Sequence, residues 1–332
     1  MQELAAITGG AGFIGSHLAE GFVRHGYAIR VIDNLTTGSM SNLASIKGQI
    51  DYRKVDLRDL DGLTEAFRGA SIVLHHGGIS SVPLSFEDPG YIHEVNVTGT
   101  FNVFAAAVRA RVRRVVNASS SSVYGNNGAE LQSESAVPSP LSPYGISKWM
   151  GELYAAQFAR SGAIETISLR YFNVFGPRQN LESGYAAVIP LFIRKLADGN
   201  RPVIFGDGTQ TRDFTFIDNI VEANLRAVKV SLPPITILNV ATGARISLNE
   251  LLSVLNEIFG SQIKSINEPE RLGDIKHSCA DTRLSEQFLG DYKVAAFREG
   301  LVRTARWFLE VSGRVGRSSA VGRSSAVGRS SA

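Results

Sequence analysis

Tyr144 and Lys148 stand four residues apart in the run Tyr144-Gly145-Ile146-Ser147-Lys148. On a helix, positions i and i+4 share a face, so both side chains can project into one site. A free tyrosine titrates at about pH 10 and is a poor base at neutral pH. A neighbouring ammonium and a cationic nicotinamide would favour the phenolate and lower that pKa. The pair therefore reads as a general acid/base beside a redox cofactor. A surface Tyr/Lys pair has the same spacing. What argues for chemistry is a serine run at 119–122 and a glycine-rich segment near the start of the chain.

That segment, residues 8–15, carries Gly-x-Gly-x-x-Gly at Gly10, Gly12 and Gly15, and Gly-x-x-Gly-x-x-Gly at Gly9, Gly12 and Gly15. Glycines allow a tight turn and let the backbone approach a pyrophosphate. Phe13 and Ile14 open a helical pattern, whose N-terminus offers free N–H groups and a positive dipole. Asp33 follows 18 residues past Gly15, at the end of the second strand pattern. Its carboxylate can accept from adenosine ribose hydroxyls and would repel a 2′-phosphate, which predicts NAD rather than NADP. Against this stand Arg30 and the loop from Asn34 to Ser39, which offer groups for a phosphate. Asp56, after the third strand pattern, either meets the adenine or caps the strand end.

These residues need a frame. Apolar runs at 4–8, 28–33, 51–55, 71–75, 114–119 and 166–171 alternate with amphipathic stretches such as 13–25 and 95–109. The alternation predicts an α/β fold: a doubly wound parallel sheet with helices on both faces, over residues 1–175. Past 176, Gly and Pro turns interrupt mixed elements, as in a smaller α/β substrate-binding region over 176–312, interleaved with the first by late crossings. A helix at 294–310 closes it. Three copies of Val-Gly-Arg-Ser-Ser-Ala fill the end of a tail spanning 313–332. Without aromatic or large apolar residues beyond valine, the tail is expected to be disordered.

The composition is that of an ordinary globular chain of 332 residues, 44% hydrophobic and 20% charged. No apolar run approaches the ~18 residues of a membrane helix. The chain enters a strand pattern at once, leaving no room for a signal peptide, so a cytoplasmic location is expected. The single cysteine, Cys279, excludes an intrachain disulfide and a cysteine-based zinc site, and the six histidines lack zinc spacing. The formal charge of +3 owes 4 positive charges to Arg314, Arg317, Arg323 and Arg329; without them it is −1 over residues 1–312. No global basic field argues for nucleic acid.

With these motifs in hand, the chain resembles the extended short-chain dehydrogenase/reductase family, whose fold is of the Rossmann type, and within it the nucleotide-sugar 4-epimerases. The resemblance covers residues 3–310. It is closest to the UDP-N-acetylglucosamine and UDP-glucose 4-epimerases, through Ser80-Ser81-Val82-Pro83, Arg170-Tyr171-Phe172-Asn173-Val174-Phe175-Gly176 and Gly184-Tyr185-Ala186-Ala187-Val188-Ile189-Pro190. It implies that Tyr144 is the acid/base, that Lys148 holds the nicotinamide ribose, and that Ser120, or failing it Ser121, bridges the sugar 4-oxygen. It implies cofactor contacts at Asn34, Leu57, Gly77, Asn96 and Tyr171, and substrate contacts at Ser81, Asn173, Ala187, Val188, Val203, Phe205 and Asp274. Arg212 and Arg271 match diphosphate clamps; the alternative is that they are surface ion pairs with Asp213 and Asp274. Ser278 stands where hexose-restricted relatives carry an aromatic, leaving room for a 2-acetamido group. The usual His-x-Ala-Ala is replaced by His75-His76-Gly77-Gly78, and His76 reads as a structural strand-end histidine.

The implied reaction is NAD-dependent inversion at C4 of a UDP-hexose through a 4-keto sugar. A 4,6-dehydratase of this family carries Asp-Glu after the catalytic Ser/Thr, and a decarboxylase a Glu; here Ser121 and Ser122 stand there. UDP-glucuronate epimerisation stays open, as does a non-catalytic NAD sensor. The family also implies a homodimer built on the helices at 95–109 and 144–160.

Overall fold

The first apolar run forms β1 (Leu4–Thr8), buried from Ala5 onward, as expected for a strand with helices on both faces. The same logic holds for β2 (Ala28–Ile32), β4 (Ile72–His75), β5 (Arg114–Ser120) and β6 (Glu165–Tyr171), while β3 (Ile50–Arg53) is a half-buried edge. The computed structural model describes residues 2–129, 131–179, 187–233, 235–270 and 276–313. Arg271, Asp274, residues 184–186 and the repeat tail from 314 lie outside these.

The strands form one parallel seven-stranded sheet in the order Ile235–Val240, β6, β5, β4, β1, β2, β3. The chain winds outward from β1 to β3, then crosses back to β4 on the other side of β1. Loops leaving β1 and β4 therefore diverge above a crevice, where doubly wound sheets bind ligands. Register brings Thr8 beside Ile32 and His75, and Ser120 beside Tyr171, so all these chain ends open on one edge.

A late crossing joins the two regions, and two further features differ from the expectation. The strand Ile235–Val240, within the expected substrate region, completes the main sheet on β6. The helix expected at 95–109 is an α-helix only over Gly99–Arg109; residues His93–Thr98 form a π turn. The closing helix is shifted to Phe297–Val311, where Ala296 in extended conformation starts it.

Beyond residue 176, helices Val188–Ala197 and Leu248–Phe259 pack together. Short ladders join Val203–Phe205 to Ile266–Glu268 and Thr211–Arg212 to Ile246–Ser247. One apolar core runs through both regions, linking Ile7 and Leu169 of the sheet with Phe192, Leu251 and Phe308.

Candidate active site

The turn after β1 is built on close approach. Gly9 has φ +66°, and a Cβ there would sit 2.7 Å from the Gly77 backbone. Gly77 donates its N–H to Thr8 Oγ1 at 3.2 Å, which holds the two loops together. Gly12 caps the helix Phe13–Arg24 with no side-chain bond, so the helix begins with open N–H groups facing the cavity lined by Gly12 to Gly15. A dinucleotide fits this cradle: backbone surrounds the place of the pyrophosphate, and a side chain on Gly9 would close it.

At the adenosine end, Asp33 is 8% exposed. Its carboxylate accepts from Ala11 N at 3.0 Å and Leu35 N at 2.7 Å, which fixes it at the cavity wall with lone pairs to spare. Arg30 is turned away to Asp51 at 2.7 Å and to the carbonyls of Ala66 and Arg68. It is therefore committed elsewhere and does not serve a phosphate. Asp56 lines the cavity but is also clasped by Arg58 and by Asn34 Nδ2, and the Arg58 guanidinium holds its carboxyl far below the usual range. Leu57 packs under Gly77 and Gly99.

At the other end lie Ser120, Tyr144, Lys148 and Tyr171, all on the same cavity of about 530 Å³. The helix Pro143–Arg160, capped by Ser142 with Pro143 in its first turn, presents Tyr144, Lys148 and Glu152 along one face. Each docks on the end of β5. The Ser120 hydroxyl bonds Tyr144, Lys148 Nζ donates to the Ala118 carbonyl at 2.9 Å, and Ser119 Oγ donates to Glu152 at 2.5 Å. Among the serine run it is thus Ser120 that meets Tyr144. Its Oγ also accepts from Ser122 N at 3.1 Å; Ser121 lines the cavity.

The expected lowering of the Tyr144 pKa is not a property of the protein groups alone. Burial pushes the phenol up, opposed only in part by Ser120. Lys148 Nζ is 5.9 Å from the ring centroid and turned to Ala118. Burial also pushes the Lys148 ammonium down to about 8. Lowering Tyr144 therefore calls for a further positive charge in the cavity, such as an oxidised nicotinamide.

Asn96, expected among the cofactor contacts, is not among the residues lining the cavity but stands behind Gly78, which is. It is buried on the π turn, bonded to Ile79 N at 2.7 Å, Ile79 O at 2.9 Å and Ser147 Oγ at 3.2 Å. It ties the loop after β4 to the Tyr144 helix. π turns often mark functional sites, and this one aims Asn96 inward. The loop itself places His76, Gly78 and Ser81 on the cavity. Ser81 Oγ accepts from Leu84 N and starts a short helix.

A second cavity of about 420 Å³ is lined by Val188, Val203, Phe205 and Arg212. Asn173, Val174 and Ala187 line both cavities, so they form the junction. Asn173 sits there with φ +34°, held through its amide to the Asp213 carbonyl. Asp213 is a buried carboxylate bonded to Thr242, Gly243 and Ala280 rather than a partner for Arg212. Arg212 Nη1 donates to Thr211 O at 2.9 Å. Ser278 pairs its N–H with Thr211 O and lines neither cavity. Lys195 and Gln210, not anticipated from sequence, also line the second cavity. Lys195 stands seven residues after Val188, two helical turns on, and that spacing was the available signal.

Residues 5–241 match the profile of the NAD dependent epimerase/dehydratase family. The chain is 34% identical over 307 residues to a UDP-glucose 4-epimerase of Mycolicibacterium smegmatis, covering 91% of this chain and 97% of the relative. It is 30% identical over 322 residues to a UDP-N-acetyl-alpha-D-glucosaminuronate decarboxylase of Bacillus cytotoxicus, covering 94% and 99%. Among solved structures, a UDP-N-acetylglucosamine 4-epimerase from Methanobrevibacter ruminantium in complex with UDP-N-acetylmuramic acid superposes with a TM-score of 0.87 at 36% identity, covering 94% of this chain and all (100%) of that one.

Proposed function

The chain belongs to the NAD dependent epimerase/dehydratase family, and from that premise we propose that it inverts C4 of a UDP-hexose, with NAD⁺ held between turnovers. The observation that carries this reading is the junction at Asn173, Val174 and Ala187. It joins a dinucleotide-shaped cavity, ending at Ser120, Tyr144 and Lys148, to a second cavity of nucleotide size.

NAD⁺, when bound, supplies hydride acceptance at C4 and its return. Gly9, Gly12 and Gly15 surround its pyrophosphate, Asp33 its adenosine ribose, and Lys148 and Tyr171 its nicotinamide end. Tyr144 takes the proton from the C4 hydroxyl and later gives it back. Ser120 bonds the Tyr144 hydroxyl and orients the 4-oxygen. Arg212, with Arg271, holds the diphosphate, to which a guanidinium is suited. The uridine lies among Val188, Val203 and Phe205. Inversion would need room for the 4-keto sugar to turn over, which the joined cavities would supply.

Ser121 and Ser122 replace the carboxylates that a dehydratase or decarboxylase needs beside the catalytic serine, which favours epimerisation. Among the described residues of the first cavity, Lys148 is the one Lys or Arg side chain, which favours a neutral hexose. The family resemblance, and not the cavity linings, ties the small Ser278 to acceptance of UDP-N-acetylglucosamine and UDP-N-acetylgalactosamine beside the plain hexose pair. A uronic acid is the second reading, since the hydroxyls of Ser80, Ser81, Ser121 and Ser122 on the same wall can receive a carboxylate. The enzyme works as a homodimer: Phe101, Ile146 and Leu153 are exposed on the two helices expected to pair. Monomers in light scattering at micromolar concentration would argue against this. Among the described residues no helix is long and apolar enough to cross a membrane.

The deciding experiment is proton NMR of the purified protein with UDP-N-acetylglucosamine, UDP-glucose or UDP-glucuronate, without added NAD⁺. New anomeric signals of the galacto epimers establish the reaction and name the sugar. No change in any of the three, with NAD⁺ supplied, removes the proposal.

A further inference from the structure

His76 is the residue at this site for which the reaction has so far no use. It lies at the end of β4, lines the first cavity and reaches across to β6. Its Nε2 is 2.8 Å from the Tyr171 hydroxyl, and the two rings stack at 5.8 Å with an interplanar angle of 21°. Tyr171 is met from behind by Asn224 Nδ2 at 2.9 Å. That amide also donates to the Ile220 carbonyl at 2.8 Å, and a carbonyl can only accept, so its orientation is fixed. The Tyr171 oxygen is therefore an acceptor from Asn224, and its own proton points elsewhere.

Where that proton goes follows from the imidazole. Burial and nearby Lys148 keep His76 neutral, pushing it down to about 3, so one ring nitrogen carries hydrogen. Nδ1 is buried without a hydrogen-bond partner. Since Asn224 already donates to the Tyr171 oxygen, the Tyr171 proton can go to His76 Nε2, and with Nε2 accepting, the ring hydrogen sits on Nδ1. The chain of bonds then runs in one direction, from Asn224 to Tyr171 to His76.

We propose that His76 is a positioning residue: by accepting the Tyr171 proton it turns that phenol's polar edge out of the reacting space and fixes the ring as a wall for the nicotinamide end. Three tyrosines, Tyr91, Tyr144 and Tyr171, line this cavity, and Tyr144 and Tyr171 belong to the group with Ser120 and Lys148. Both are raised by burial. With Tyr171 committed to His76, Tyr144 is the phenol beside Ser120 and Lys148 left to exchange a proton with substrate. A Cβ on Gly77 would press on Leu57 and one on Gly78 on Asn96 Oδ1, so the two glycines after His76 let the loop lie close against both.

This inference rests on the reading given under Proposed function, so the experiment separates the two. NAD⁺ affinity of the stripped protein is measured by fluorescence for wild type, His76→Phe, Tyr171→Phe, the double variant and His76→Gln, with melting temperatures alongside. Turnover is read as kcat and KM on whichever UDP-sugar the wild type converts. His76→Phe leaves a buried hydroxyl without its acceptor and should weaken NAD⁺ about tenfold and lower kcat, with KM for the sugar unchanged. Removing both polar partners together should restore most of the affinity. His76→Gln, whose amide oxygen can accept, should stay close to wild type. Unchanged NAD⁺ affinity in His76→Phe, additive losses in the double variant, or His76→Gln failing as badly as His76→Phe each overturns the proposal. A wild type that binds NAD⁺ but converts no UDP-sugar overturns the epimerase reading, while the affinity cycle still decides the role of His76.

Discussion

Glu152 and Arg170 meet through two hydrogen bonds of 2.8 and 2.7 Å, with side chains 3% and 2% exposed. Glu152 comes from the Tyr144 helix and Arg170 from β6, and Ser119 donates to the same carboxylate. The Arg170 guanidinium also lies 4.6 Å over the Tyr124 ring. The pair thus joins the Tyr144 helix to the two strands bearing Ser120 and Tyr171. Arg170→Met would strand a buried carboxylate and should cost about 3–5 kcal/mol in urea denaturation. Replacing Glu152 by Leu as well should recover most of that loss. A single variant within about 1 kcal/mol of wild type would show that the pair is not needed to hold the helix.

Removing the Tyr144 hydroxyl separates chemistry from binding. Tyr144→Phe should lower kcat by roughly 10²–10⁴-fold while NAD⁺ stays bound. Ser120→Ala should follow in the same direction, whereas Ser121→Ala should not, because Ser120 is the serine bonded to Tyr144. Steady-state rates on the substrate found by NMR decide it; a larger loss in the Ser121 variant would reassign the catalytic serine.

Two glycines with left-handed backbones should respond differently to alanine. Gly26 has φ +83° and open space around its absent side chain, so Gly26→Ala should lose about 1–2 kcal/mol of stability and keep its coenzyme. Gly9→Ala adds a clash with Gly77 to the same strain and should emerge from purification without NAD. Absorbance of the extracted nucleotide is the readout, and equal coenzyme content in both variants would contradict the cradle.

Acid should unfold this protein through its buried histidines. Burial pushes His17 down to about 4 and His76 to about 3, from an ordinary 6.5, and holds His75 well below it. Between those values and 6.5 the unfolded chain binds more protons than the folded one. Stability is therefore full above pH 6.5 and falls as pH drops towards 3. Lys148, lowered from 10.5 to about 8, acts in the other window: stability gains as pH rises from 8 to 10.5. Thermal melts across these two ranges test both slopes. A melting temperature flat from pH 7 to 4 would mean that the histidines are solvated.

Substrate width can be probed at Ser278. Ser278→Tyr should remove turnover of the N-acetylated pair and spare the plain hexoses. Equal loss on both pairs would break the link between this position and the sugar.

The reading from sequence did best where pattern is local. All six apolar runs became strands within two residues of the expected bounds, and five of them are strands buried on both faces, which have no choice but to be apolar. The glycine turn, Asp33 and the Tyr144–Lys148 pair were legible because each needs a fixed spacing. The π turn at Asn96 was not: nothing in His93–Thr98 signals one extra residue in a helical turn. Glu152 reads as an ordinary helix-surface acid until Arg170 arrives from a strand far along the chain. Ile235–Val240 is only six residues long, and its partner β6 is set by the sheet rather than by its neighbours.

That last strand has a bearing on how the chain is made. Until it docks, β6 is an open, apolar edge, of the kind that recruits strands from other molecules. The first 175 residues carry the whole cofactor cradle and Tyr144, yet they emerge with this edge uncovered. A chain cut before Ile235 would have this sheet complete but for one side. Residues beyond 176 thus chaperone the part that precedes them, and a fragment ending before Ile235 would be sticky for lack of its last neighbour.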